Sequence, residues 1–420
     1  MSLFERFRKD YFNYLASIIL PALITAVTIP VLKTLLGAAD YGAFSLHYNG
    51  ALIFSTITTG WITQSISRFY PISDNKPLFA RKALRLTVIF QWILIAVTIP
   101  VLYFFEKDIL LTLLIGLNFF VCAIQFSFMV IAQSNFLSRK TIYSETIRTL
   151  SYFLVALALL RLTGLHYLHA LFIAAILSFA FSVLYLYMKT KSFFIADQSV
   201  VTNNSDEPSM IKRFFRYGTP LSLWFVFAYF LTYIDKIFMR EYLGAVVQGN
   251  YQALFDMLSR GFTLVISPVL LTLLPLLTVA YQEGKKAEIN ALLKKIILFE
   301  WLGFMLVTVA YYGFGASLLM KILHVPDSST YRHMGFIIIA GTFIWQMAMV
   351  INKTYELELK SIKMLYAVII AFGCQVLYFK WVGHTRNELL IAFGYPLSSL
   401  AYLLMITYGF LLRRMKRKQL

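Results

Sequence analysis

The sequence predicts an all-α polytopic membrane protein, with twelve transmembrane helices in two six-helix bundles related by a parallel repeat. Three observations carry this expectation. Hydrophobic residues make up 59% of the 420-residue chain and charged residues 14%, against roughly 25% charged in soluble globular proteins. The apolar residues gather into twelve runs of about twenty, each long enough to cross ~30 Å of hydrocarbon. A short pattern recurs 207 residues apart at equivalent places in the two halves. Soluble, disordered, coiled-coil and disulfide-scaffold classes are excluded by this composition. The runs are too long for the alternating strands, about ten residues each, of an outer-membrane barrel.

The runs cover 12–32, 43–63, 86–105, 109–131, 149–165, 168–188, 218–239, 249–277, 296–316, 333–352, 364–382 and 388–412. The first has no small-x-small exit site and reads as a retained anchor. The fifth is short and carries Arg161. Cys122 and Cys374 lie inside apolar runs and read as packing residues.

Basic residues test this layout, because cytoplasmic loops are rich in Lys and Arg. With the N-terminus in the cytoplasm, inside segments hold 28 Lys and Arg, outer segments and span ends hold 8, and Lys236 and Arg260 fall within spans. A missed or invented span would scramble that alternation. Inside segments hold 11 acids, so they carry +17 of the net +18. The basicity is therefore a topology signal suited to anionic lipid headgroups. It is not a nucleic-acid footprint. The tail Arg413-Arg414-Met415-Lys416-Arg417-Lys418 reads the same way.

The recurring pattern is L-G-A-x-x-x-G: Leu36-Gly37-Ala38 with Gly42, and Leu243-Gly244-Ala245 with Gly249. Each copy lies outside, between the first and second span of its half. The expected organisation is a lobe at 1–190, a cytoplasmic linker at 191–217 and a lobe at 218–420. Two such bundles related by an axis along the membrane normal form a common transporter plan, with the substrate site between them. The linker holds the most polar stretch of the chain, Val200 to Pro208. Prolines fall within spans at Pro21, Pro30, Pro100, Pro220, Pro268, Pro275 and Pro396, where each can act as a hinge or give static curvature.

Charges inside spans are costly and mark candidate sites. Span 7 carries Asp235 and Lys236 near its outer end. Lys236 could snorkel to the interface, whereas Asp235 is short and needs a partner. Span 8 carries Asp256 and Arg260 on one helix face, with Arg260 near mid-membrane, making it the leading substrate-binding candidate. His47 of span 2 is a candidate for ion coupling. Arg68 and Arg148 stand at inner mouths, and Glu300 opens span 9 on the inner side. There is no phosphate-binding ATPase loop, nucleophile motif or metal-ligand cluster, so neither catalytic residues nor a cofactor or metal is expected.

Several short motifs resemble a known family. Tyr14-Leu15, Pro30-Val31-Leu32 and Leu36-Gly37-Ala38-Ala39-Asp40-Tyr41-Gly42 resemble the opening of bacterial polysaccharide exporters of the Wzx flippase type. These form the O-antigen/polysaccharide transporter family of the multidrug/oligosaccharidyl-lipid/polysaccharide exporter superfamily. Arg216-Tyr217-Gly218-Thr219-Pro220-Leu221, Asp235-Lys236 and Leu243-Gly244 resemble the motifs that open the second half of such proteins. The resemblance implies a flippase in the bacterial inner membrane that moves undecaprenyl-pyrophosphate-linked oligosaccharide units to the outer leaflet. Such proteins serve O-antigen and lipopolysaccharide, capsule or exopolysaccharide biosynthesis. It implies membrane lipids, a polysaccharide polymerase and a chain-length regulator as partners, and a cationic lumen for the diphosphate. Arg260 and Lys236 suit that lumen, joined by Arg68 and Arg148, since in-span basic residues are few. Two other classes stand beside it. A multidrug or cation antiporter would use cavity acids, but Asp235 and Asp256 each have a basic neighbour. A glycan polymerase or acyltransferase would normally need larger outside loops.

Overall fold

The computed structural model describes residues 3–416 apart from 72, 74, 136, 192–206 and 359. Most of the polar linker and the end of the basic tail lie outside the described residues, as do the side chains of Arg6, Arg8, Lys9, Arg413, Arg414 and Lys416. The described residues fold into helices alone. In chain order they are α1 (Leu3–Leu36), α2 (Ala38–Phe69), α3 (Lys76–Glu106), α4 (Ile109–Ser134), α5 (Ser138–Leu162), α6 (Tyr167–Thr190), α7 (Glu207–Leu231), α8 (Ile234–Leu243) and α9 (Ala245–Gln282). There follow α10 (Lys286–Ala310), a π turn (Tyr311–Gly315), α11 (Ala316–Ile322), α12 (Ser329–Leu357), α13 (Ser361–Val382), α14 (Glu388–Ala392) and α15 (Gly394–Lys416).

These helices make twelve spans among the described residues, with α7–α8, α10–α11 and α14–α15 each forming one interrupted span. The shortest uninterrupted one, α13, has 22 residues and is ~33 Å long. Eight spans are long and apolar enough to cross a membrane by composition alone. The remaining four, α2, α5, α9 and α10, have the length.

Several helices begin well before their apolar runs, α5 and α7 by eleven residues and α3 and α10 by ten. The fifth span begins at Ser138, about three turns before its apolar run. Its first half carries Arg139, Lys140, Glu145 and Arg148, so hydropathy mistakes it for a loop. Arg148 is thus not at a helix mouth but ~15 Å into α5. Glu300 likewise does not open its span, because α10 begins fourteen residues earlier, at Lys286. Helices α1, α3 and α7 continue through their prolines without interruption. The interruptions at Thr232–Tyr233 and at the π turn occur where there is none.

The chain forms two compact units, Met1–Leu46 with Phe227–Leu420, and His47–Val226. In the first, α1 packs along α9, and α12 packs against α9 and α15. In the second, α4 and α5 both pack on α6, and α3 on α4. Trp61, Ile62, Ile66 and Phe214 of α2 and α7 share a core cluster with Phe79 and Ala83 of α3.

The recurring glycines have a physical reason. Gly37 and Gly244 take φ of +80° and +91° and cap the helices before them, their N–H groups donating to Lys33 O (2.9 Å) and Arg240 O (3.1 Å). Only glycine adopts this conformation at no steric cost. Gly42 and Gly249 pack face to face, and a Cβ on Gly249 would run into the backbone of Ala38. Gly218 serves the same purpose in the other unit, where a Cβ would meet the backbone of Trp61. Gly249→Val is therefore expected to destabilise the protein by ~3 kcal/mol or more, the upper end of overpacking costs, because backbone cannot yield as a side chain does. Gly303→Ala, where a Cβ meets nothing within 4 Å, should be neutral or stabilising. Thermal melting of the purified variants checks both.

Candidate functional site

The helix interruption at Thr232–Tyr233 positions Asp235 and Lys236. Ending α7 orphans carbonyls that cannot be left bare in a membrane. Side chains meet them: Gln375 Nε2 donates to Leu231 O at 3.0 Å, and Lys236 Nζ donates to Thr232 O. The ammonium also bonds Asp235 at 2.9 Å and lies 3.3 Å from the centre of the Phe255 ring. Asp235 accepts from its neighbour's backbone N–H (2.9 Å) and from the Tyr251 hydroxyl (2.7 Å). Both residues are buried, Asp235 at 0% exposure and Lys236 at 1%. Lys236 does not snorkel, and its donors are spent within the protein. The pair is a closed, neutral staple across a helix break, with no face open to a substrate in this conformation.

Asp256 and Arg260 stand on one face of α9, as their spacing predicts, but the contact is loose. Arg260 Nη2 is 3.8 Å from Asp256 Oδ1, beyond hydrogen-bond reach. Asp256 takes its hydrogen bond from the Tyr41 hydroxyl instead, at 2.8 Å. The Arg260 side chain is 53% exposed, against 10% for Asp256. Counting from Ala245, it lies ~22 Å along a 38-residue helix. Its guanidinium is therefore held by little in the protein and is free to meet an anion.

The other unit carries a second deep cation. Arg148 donates through Nε (3.0 Å) and Nη2 (2.8 Å) to one oxygen of Glu145, a turn earlier on α5. The Gln125 amide donates to the other oxygen at 2.8 Å, and Phe179 lies under the guanidinium at 5.3 Å. Ser144 and Ser182 bond each other at 2.6 Å beside Gln125. Glu145 carried no role in the sequence reading, although its spacing of three from Arg148 is a helix-pair signal. The Arg148 side chain is 24% exposed, so one edge of the fork remains open.

The remaining candidates are peripheral. Arg68 is exposed in the last turn of α2. His47 Nε2 is 3.0 Å from Glu106 at the end of α3. Lys33 was missed because it falls one residue past its apolar run. Buried, it donates to Leu323 O (2.6 Å) and His324 O (3.1 Å), and so caps the carbonyl end of α11.

A family model described as "Polysaccharide biosynthesis protein" matches residues 7–281. Among solved structures, an inward-facing multidrug resistance MATE family transporter of the MOP superfamily aligns with TM-score 0.69 at 13% identity. That alignment covers 95% of this chain and 94% of that one. A MOP superfamily transporter from Pyrococcus furiosus, described as having a binding pocket of reversed polarity that suggests a different function, aligns with TM-score 0.69 at 13% identity, covering 96% and 95%. A Vibrio cholerae MATE transporter aligns with TM-score 0.68 at 14% identity, covering 97% of each chain. No curated protein sequence matches. The likeness is one of fold.

Proposed function

The chain belongs to the polysaccharide biosynthesis protein family, and on that premise we propose that it is a flippase for polyprenyl-diphosphate-linked oligosaccharide. It would carry undecaprenyl-pyrophosphate-linked units across the bacterial cytoplasmic membrane for assembly of O-antigen or another surface polysaccharide. The observation that carries this reading is Arg260, a deep guanidinium 53% exposed whose acidic neighbour is served by Tyr41. A flippase must shelter a diphosphate and a hydrophilic glycan from hydrocarbon while the polyprenyl tail stays in lipid. Planar guanidinium groups suit the diphosphate by bidentate contact. Arg148 supplies the same chemistry in the other unit through its open edge. Lys236 is not assigned to binding in this conformation, where its charge is spent on Asp235.

Both termini are assigned to the cytoplasm by the 28 to 8 asymmetry of basic residues. A polysaccharide polymerase and a chain-length regulator would act on the delivered units. The named multidrug transporters among the similar folds favour a second reading, a drug or cation antiporter. Cation capture would need free cavity acids, and Asp235 and Asp256 are both engaged.

Deleting the gene tests the proposal. Lipid-linked oligosaccharide should still be made while surface polysaccharide disappears. If the lipid-linked unit is not made at all, the protein acts upstream and the proposal is wrong.

A further inference from the structure

Glu300 lies fourteen residues into α10, ~21 Å from its start. Leu298, Phe299, Trp301 and Leu302 beside it are exposed apolar side chains, which sets this level of the helix in the hydrocarbon. Glu300 itself turns inward at 0% exposure, and neither carboxyl oxygen has a hydrogen-bond partner. One turn to either side, Ile296 and Phe304 belong to two apolar clusters that continue onto α9 and α12.

No charge faces it from those helices. The α9 stretch 262–269 and the α12 stretch 343–350, which complete the clusters, hold no titratable residue. The nearest charges along them are Arg260, beside Asp256, and Lys353, ion-paired with Glu356 at 2.8 Å. Between Ile19 and Leu32, α1, which also touches α10, has none. Lys294 and Lys295 of α10 are exposed. In the π turn the Tyr311 hydroxyl is spent on Arg332 O.

We propose that Glu300 is a proton-binding site: a carboxylic acid, buried among α9, α10 and α12, whose proton is the ligand. An unpaired carboxylate in such surroundings is far too costly to persist, and the group neutralises instead. Releasing the proton to water leaves a carboxylate that must be solvated, which requires α10 to part from a neighbour. The packed conformation therefore binds the proton more tightly than any opened one, and by linkage a rise in pH favours opening. Glu300 thus gives a proton gradient a point of action, remote from the Asp235–Lys236 staple and independent of which substrate is carried.

Infrared spectroscopy of the purified protein in lipid bilayers tests this without any substrate, so failure of the flippase reading leaves the test intact. The wild type is expected to show a carboxylic-acid C=O band at neutral pH. Glu300→Gln should remove that band. Glu300→Asp, which keeps the acid, should shift its frequency, and it serves the same purpose if the Gln variant does not accumulate. A wild-type spectrum with no carboxylic-acid band at neutral pH would overturn the proposal. So would a band that neither variant alters.

Discussion

Asp235→Asn is expected to remove most of the folded protein from the membrane. The substitution leaves the Lys236 ammonium buried at 1% exposure with no countercharge, and it weakens the acceptor for Tyr251. Removing one partner of a buried pair costs ~3–5 kcal/mol, a large part of the ~5–15 kcal/mol that holds a protein folded. The loss should appear as low yield and a lowered melting temperature. Adding Lys236→Met should recover much of it, because two neutral side chains of similar volume replace the pair. If Asp235→Asn instead melts like the wild type but exports no glycan, the pair belongs to the transport site and the staple is the wrong description.

Arg260→Leu should do the reverse. Its guanidinium is exposed and 3.8 Å from Asp256, and Asp256 keeps its bond from Tyr41. Stability should change by no more than ~0.5 kcal/mol, as for other exposed and weakly paired charges. Export should fall about tenfold or more, since hydrogen bonds to charged groups are worth ~1.5–3 kcal/mol. Arg260→Lys should retain part of the activity, because it keeps the charge and loses the two-pronged contact. Surface polysaccharide, normalised to protein in the membrane, is the readout. Wild-type export by Arg260→Leu would leave Arg148 as the remaining deep cation. Arg148→Leu would also strand Glu145, so its effects on folding and on export need measuring separately.

The helix layout and the glycines were legible in the sequence for the same reason. Apolar runs report the surface that lipid must cover, and Gly42, Gly218 and Gly249 report where backbones touch. Hydropathy failed where polar side chains are solvated by other helices. The first half of α5 reads as a loop because Ser144, Glu145 and Arg148 are polar, yet Ser182 and Gln125 satisfy them inside the unit. The break before α8 is invisible because Thr232 and Tyr233 are ordinary span residues, with no glycine or proline to mark it. What meets the freed Leu231 carbonyl there is a long-range donor, Gln375, 144 residues away. Lys236 looked available because a sequence shows a charge but not what has already consumed it. Arg260 was singled out for its cost in the membrane, and its looseness emerged only from the distances.

The proposed function has this protein moving a diphosphate-linked glycan between leaflets. The most direct measurement uses the purified protein in vesicles containing a polyprenyl-diphosphate-linked oligosaccharide in both leaflets. A membrane-impermeant oxidant of the glycan is added outside. The inner-leaflet pool is expected to become oxidisable in vesicles with the wild type, and to remain protected in protein-free vesicles and in vesicles with Arg260→Leu. An inner pool that stays protected with the wild-type protein, under any imposed ion gradient, would contradict it.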